Sequence, residues 1–71
     1  MNLIEALRTG RIVVHDQLIG GYVLYEGSIY HRDDILDFND MQWIKDNVLP
    51  SYNIMSHMPL DVFLSNDWKV L

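Results

Sequence analysis

Tyr22-Val23-Leu24-Tyr25-Glu26-Gly27-Ser28-Ile29-Tyr30-His31-Arg32 is the stretch whose pairing decides the fold. Two runs rich in aromatic and β-branched residues flank Glu26-Gly27, a two-residue connection with glycine where a hairpin turn needs positive φ. That turn sets the register. With Tyr25 opposite Ser28, Leu24 faces Ile29, Val23 faces Tyr30 and Tyr22 faces His31. Alternation puts Tyr22, Leu24, Ile29 and His31 on one face, and Val23, Tyr25, Ser28, Tyr30 and Arg32 on the other. Both faces carry aromatics, whereas a sheet covered on one side shows a polar second face. The second face is therefore expected to meet a helix, a ligand or another subunit.

Towards the N-terminus, Asn2 and Glu5 have capping-box spacing, and Leu3, Ile4 and Leu7 form an apolar stripe, so a short helix is expected there. Arg8 suits its last turn and Gly10 ends it. Arg11-Ile12-Val13-Val14-His15 is too short for a second helix and reads as a strand. Gly20-Gly21 permits either a plain turn or a close, ligand-facing backbone, and neither phosphate-loop pattern, G-x-x-x-x-G-K-[ST] or G-x-G-x-x-G, is present.

On the C-terminal side, the segment after the hairpin predicts a helix from about Asp40 to Val48. Asn39 caps it, Gln42 closes the box, Phe38 staples onto Trp43, and Met41, Ile44 and Val48 point inward; Leu49-Pro50 stops it. Tyr52-Asn53-Ile54-Met55 suits one more short strand. Pro59 opens a brief helix with Leu60, Phe63 and Leu64 as its apolar stripe, and Trp68-Lys69-Val70 alternates as a final strand. Without a repeat or low-complexity linker, residues 1–71 read as a single α+β domain: a small antiparallel sheet with a central hairpin and two to three short helices.

Composition narrows the function. Seventy-one residues leave no room for a second domain, and a core of this size supplies only about 3 to 5 kcal/mol, so self-association into a homo-oligomer is expected. The lack of cysteine removes disulfides, thiol catalysis and zinc-thiolate sites, and fits an intracellular protein. The start lacks the basic and apolar regions of an export signal, and no stretch approaches the ~18 apolar residues of a membrane span, so no membrane partner is expected. Five basic against ten acidic side chains, a formal charge of -5, disfavour extended nucleic acid, while a compact anion gripped by one or two arginines stays compatible with it.

No nucleophile and base pair is recognisable, and His15, His31 and His57 form neither H-x-x-x-H nor H-E-x-x-H, so neither catalysis nor a metal or other cofactor is expected. Asp33-Asp34-Asp37 lacks the glycine and terminal Glu of a calcium loop. The candidate ligand-binding residues are Arg11, His15, Tyr22, Tyr30, Arg32 and Trp43. Their aromatic rings, with Tyr25 and Trp68, offer stacking surfaces for a planar base, and Arg11, Arg32 and His15 offer charge-assisted hydrogen bonds to phosphate. The same aromatics serve equally as core, and the same arginines as surface ion pairs.

Two segments carry a resemblance. Met1-Asn2-Leu3-Ile4-Glu5-Ala6-Leu7-Arg8-Thr9-Gly10-Arg11-Ile12-Val13 and Pro59-Leu60-Asp61-Val62-Phe63-Leu64-Ser65-Asn66-Asp67-Trp68-Lys69-Val70-Leu71 resemble the opening and closing segments of the second type of Thoeris anti-defence protein, together about 26 of 71 positions. Glu5, Ala6, Leu7, Gly10, Gly20, Pro59, Asp61, Asp67 and Trp68 match residue by residue. The middle departs, with His15-Asp16-Gln17-Leu18-Ile19-Gly20-Gly21 in place of a Gly-Trp-Asn-Gly-Lys type stretch and His57-Met58-Pro59-Leu60 in place of Trp-x-Pro-Ser. The resemblance implies a phage protein of the host cytoplasm that evades immunity as a sponge: an oligomer, dimer or tetramer, that holds a cyclic nucleotide signal, a cyclic ADP-ribose isomer or cyclic oligonucleotide, without cleaving it. The alternative expectation is an acidic phage inhibitor or adaptor docking on a basic host protein. A purely structural oligomerisation module is a third.

Overall fold

The computed structural model describes residues 1–37 and 39–71. The predicted staple from Phe38 to Trp43 lies outside them. In chain order the elements are helix α1 (Leu3–Leu7), strands β1 (Val13–Val14), β2 (Gly21–Tyr25) and β3 (Ser28–Arg32), a 3₁₀ turn at Ile35–Asp37, helix α2 (Met41–Asn47), a second 3₁₀ turn at Ile54–His57, helix α3 (Leu60–Phe63) and strand β4 (Lys69–Val70). The strands form one antiparallel sheet in the order β3-β2-β1-β4. This is a small α+β fold.

The hairpin has the register that its turn demands: Tyr25 opposite Ser28, Leu24 opposite Ile29, Val23 opposite Tyr30 and Tyr22 opposite His31. Glu26 (φ 48) and Gly27 (φ 83) are both left-handed, the turn whose twist matches the flanking strands. Each sheet face has its own core. On one, Tyr22 packs with Leu3, Ala6 and Leu7 of α1, Val13, Met58, Val62 of α3, and Trp68. On the other, Val23 and Tyr30 pack with Ile35 and with Ile44 of α2. The second aromatic face of the hairpin thus meets a helix. Burying both faces makes a three-layer stack from a short chain, so apolar residues are used on both sides of each central strand.

Local signals held at α1, where Asn2 and Glu5 form a complete capping box, but the inward stripe is Leu3, Ala6 and Leu7, with Ile4 55% exposed. Positions 3, 6 and 7 share one side of a helix, and position 4 lies round its edge. At α2 the cap is Asp40, not Asn39: the Asp40 carboxylate accepts from the N–H groups of Gln42 and Trp43. An ionised carboxylate there also favours the positive end of the helix. Ile44 is fully buried, with Met41 and Val48 packed beside it as expected.

Two expectations are corrected. Residues 52–55 form no strand; Tyr52 is 92% exposed and the chain tightens into the 3₁₀ turn at Ile54–His57. Ser51 N–H donates to Ile29 O at 2.7 Å, a single bond to the β3 edge before the chain leaves the sheet. In α3, capped by Pro59, the buried residue is Val62, with Phe63 half-buried against the same core and Leu60 and Leu64 exposed, because packing against the sheet selects that face.

Gly20 ends the loop after β1 and Gly21 begins β2, and both stand where the backbone of a neighbouring strand comes close. A Cβ on Gly20 (φ 74) would overlap Arg32 O and stand 2.7 Å from Asp33 Cα, and one on Gly21 would stand 2.8 Å from Val13 O. The pair lets β2 enter between its two neighbours. No helix among the described residues is long and apolar enough to cross a membrane.

Candidate functional site

The loop after β1, the ends of β2 and β3 and the 3₁₀ turn at Ile54–His57 border an open cavity of about 290 Å³, lined by Gln17, Leu18, Ile19, Tyr22, His31, Asp33 and His57. Its floor follows from hairpin register. Tyr22 and His31 are directly opposed in a non-hydrogen-bonded pair, where side chains come closest, and their rings stack with centroids 4.4 Å apart and planes 26° from parallel. His57 stands edge-on to both, 5.9 Å from His31 and 6.3 Å from Tyr22. Trp68 meets Tyr22 edge-on from behind at 6.0 Å.

His31 Nε2–H donates to Ile19 O at 3.2 Å, closing the loop over the stack, and lies 3.9 Å from the Asp33 carboxylate. Burial raises the Tyr22 phenol above its ordinary pKa, and Asp33 adds to the shift. The cavity therefore holds a phenol that keeps its proton at neutral pH, beside two histidine rings and an aspartate side chain. Aromatic faces and edges with a few hydrogen-bonding groups suit a planar heterocycle. Among the described residues, no group of three or more His, Asp or Glu side chains is placed to hold a metal ion.

The six residues expected to bind a ligand are dispersed. Tyr22 lies in this cavity. His15 lies behind it, 5% exposed, with its ring edge-on to Trp68 at 5.2 Å. Tyr30, across the sheet, is part of the second core. Arg32 and Trp43 come together on the α2 side: the guanidinium carbon is 5.6 Å from the Trp43 ring centroid, and Arg32 holds Asp34 through two bonds of 2.7 and 2.9 Å. Trp43 is 39% exposed. Arg11 lines a separate cleft of about 270 Å³ with Gly10, Ile12, Asn39, Met41 and Leu71. Of the cavity's lining, Gln17, Leu18, Ile19, His31, Asp33 and His57 were absent from the expected set. His31 was legible as the residue facing Tyr22; His57 was not, because it lies between the strand expected at Tyr52–Met55 and Pro59, where no sequence spacing ties it to the hairpin.

No protein-family model, curated protein or solved structure matches the chain.

Proposed function

We propose that the protein is a stoichiometric binder of a cyclic nucleotide signal, a cyclic ADP-ribose isomer or cyclic oligonucleotide, which it sequesters without cleaving, acting as a homo-oligomer in the cytoplasm of a phage-infected host. The observation that carries this reading is the cleft above the stacked Tyr22 and His31 rings with His57 standing across them, where the part-exposed His31 ring and the exposed His57 ring, backed by the buried Tyr22, offer aromatic surface to a base. The resemblance of residues 1–13 and 59–71 to the second type of Thoeris anti-defence protein supplies the ligand class. At about 290 Å³ the cavity lies at the small end of ligand pockets, which run from ~300 to 1,000 Å³. A ligand with two bases therefore calls for two copies, in line with a core too small for an ample margin of stability.

The cavity itself contains no arginine or lysine, and Asp33 sits in its wall. Phosphate is left to Arg11 or Arg32 of a second copy, because within one copy Arg32 lies across the sheet beside Trp43 and Arg11 lines a separate cleft; Arg32 would exchange Asp34 for the ligand. Isothermal titration against cyclic ADP-ribose isomers and cyclic di- and trinucleotides tests the proposal, with intact nucleotide recovered after denaturation as the expected outcome. Absence of heat and of a thermal shift across that panel rejects it; recovery of cleaved nucleotide replaces a sponge by an enzyme.

The adaptor reading draws on the exposed acids Asp33, Asp34 and Asp37 around the β3 exit. Because Asp34 holds Arg32, alanine at Asp34 alters both charges at once, and the informative variants are Asp33→Ala and Asp37→Ala. If these abolish capture of a basic host protein while nucleotide titration stays silent, the adaptor reading prevails.

A further inference from the structure

We propose that His15 is a proton-operated latch on the loop that walls the cavity, so that protonating its Nδ1 releases residues 16–19; its consequence for ligand rests on the cavity being the binding site, while the latch stands on its own geometry. His15 follows β1 and is buried against Trp68. Its Nδ1 accepts the backbone N–H of Gln17 at 3.1 Å. An amide N–H can only donate, so this Nδ1 carries a lone pair and the ring proton sits on Nε2. Nε2–H in turn donates to Ser65 Oγ at 3.1 Å, which also accepts Asp67 N–H at 3.0 Å. One neutral tautomer thereby ties the loop to the turn that leads into β4.

Protonation changes one of these bonds only. The Ser65 bond tolerates an imidazolium, since Nε2 already donates there. At Nδ1 a new N–H would point at the Gln17 N–H, two donors facing each other on a ring that is only 5% exposed, an arrangement that buried polar groups avoid. Ring and loop must separate. Gln17, Leu18 and Ile19 are cavity lining, so the wall moves with the latch. What remains on the loop is Leu18 N–H to His15 O at 3.0 Å, His31 to Ile19 O, and an exposed Lys69–Asp16 pair at 3.2 Å. The other ionisable groups around the ring and its loop are Asp67 beyond Ser65, Tyr22 past Trp68, which keeps its proton at these pH values, and His31, whose Nε2 already donates to Ile19 O and so keeps that bond if a second proton arrives, with Asp33 beside it. None supplies an acceptor to Nδ1.

The test uses ligand-free protein. Nitrogen-15 spectra of the histidine rings at about pH 8 should show His15 protonated at Nε2 and bare at Nδ1, and on acidification to about pH 5 the Gln17 amide resonance should move with the His15 midpoint. In a Trp43→Phe background, Trp68 emission should follow the same curve. His15→Asn keeps an acceptor for Gln17 N–H that cannot titrate, and there both signals should lose the component that follows the His15 midpoint. If a nucleotide binds, its dissociation constant should rise about tenfold per pH unit below that midpoint in the wild type, and less in His15→Asn. A proton on Nδ1 at pH 8, or a Gln17 amide indifferent to His15 titration, overturns the latch. If His15→Asn fails to fold, the wild-type ring and amide spectra decide alone. A moving Gln17 amide with no nucleotide bound keeps the latch and rejects the sponge.

Discussion

Replacing Gly20 by alanine should leave the protein largely unfolded, whereas the same change at Gly10 should not. Both glycines have φ near +74°, so an alanine at either carries the left-handed strain of about 1 to 2 kcal/mol. They differ in room. A Cβ at Gly10 meets nothing within 4 Å, while one at Gly20 overlaps Arg32 O and stands 2.7 Å from Asp33 Cα. Those are backbone atoms of β3 and its exit, which no side-chain rotation can clear. Relieving the overlap means parting β2 from β3, and overpacking of this kind costs about 1 to 3 kcal/mol. The total for Gly20→Ala is about 2 to 5 kcal/mol, against about 3 to 5 kcal/mol supplied by a core of this size. Gly21→Ala isolates the steric part. Its φ is not left-handed, but its Cβ would stand 2.8 Å from Val13 O, so it should cost about 1 to 3 kcal/mol. Urea unfolding followed by far-ultraviolet circular dichroism measures all three, provided the slope with denaturant is unchanged. If Gly20→Ala and Gly10→Ala lie within about 0.5 kcal/mol of each other, the close approach of β2 to the β3 exit is refuted.

Asp40→Ala should lower stability by about 1 kcal/mol, and Asn39→Ala by less than about 0.5 kcal/mol, because only the Asp40 carboxylate caps α2; equal losses in urea titrations contradict that assignment. The Tyr22 phenol, raised by burial and Asp33, binds its proton more tightly folded than unfolded. Its contribution to stability is therefore complete below the unfolded value of about 10 and disappears as pH rises through the higher folded value. One of the four tyrosines should then ionise late, as the fold opens, and Tyr22→Phe should move alkaline unfolding to higher pH; tyrosinate absorbance with circular dichroism checks both.

The readings that held rest on neighbours in sequence. A two-residue turn allows one register, so the four pairs from Tyr25–Ser28 to Tyr22–His31 and the two aromatic faces follow from Glu26-Gly27 alone, and the structure extends the ladder to Gly21–Arg32. Asn2 and Glu5 cap one another across a single helical turn. The readings that failed depended on what lies beyond the segment. Whether Asn39 or Asp40 caps α2, and whether Val62 or Leu60 faces inward, is a shift of one or two positions that packing against the sheet decides. Tyr52-Asn53-Ile54-Met55 has strand chemistry, but after the Ser51–Ile29 bond the chain leaves the sheet edge instead of pairing along it.

The site divides in the same way. The sequence determined by itself that Tyr22 and His31 share one face of the hairpin and that Tyr30 and Arg32 share the opposite one. Only tertiary structure decided that α2 covers Tyr30, that Arg32 meets Trp43 over Asp34, and that His57, 26 residues from His31 in sequence, closes a cavity over Tyr22. The physical reason is the range of the forces involved. Turn geometry and capping act within a few residues, whereas a cavity forms where segments distant in sequence pack against each other, and that packing is set by the shape of the whole core.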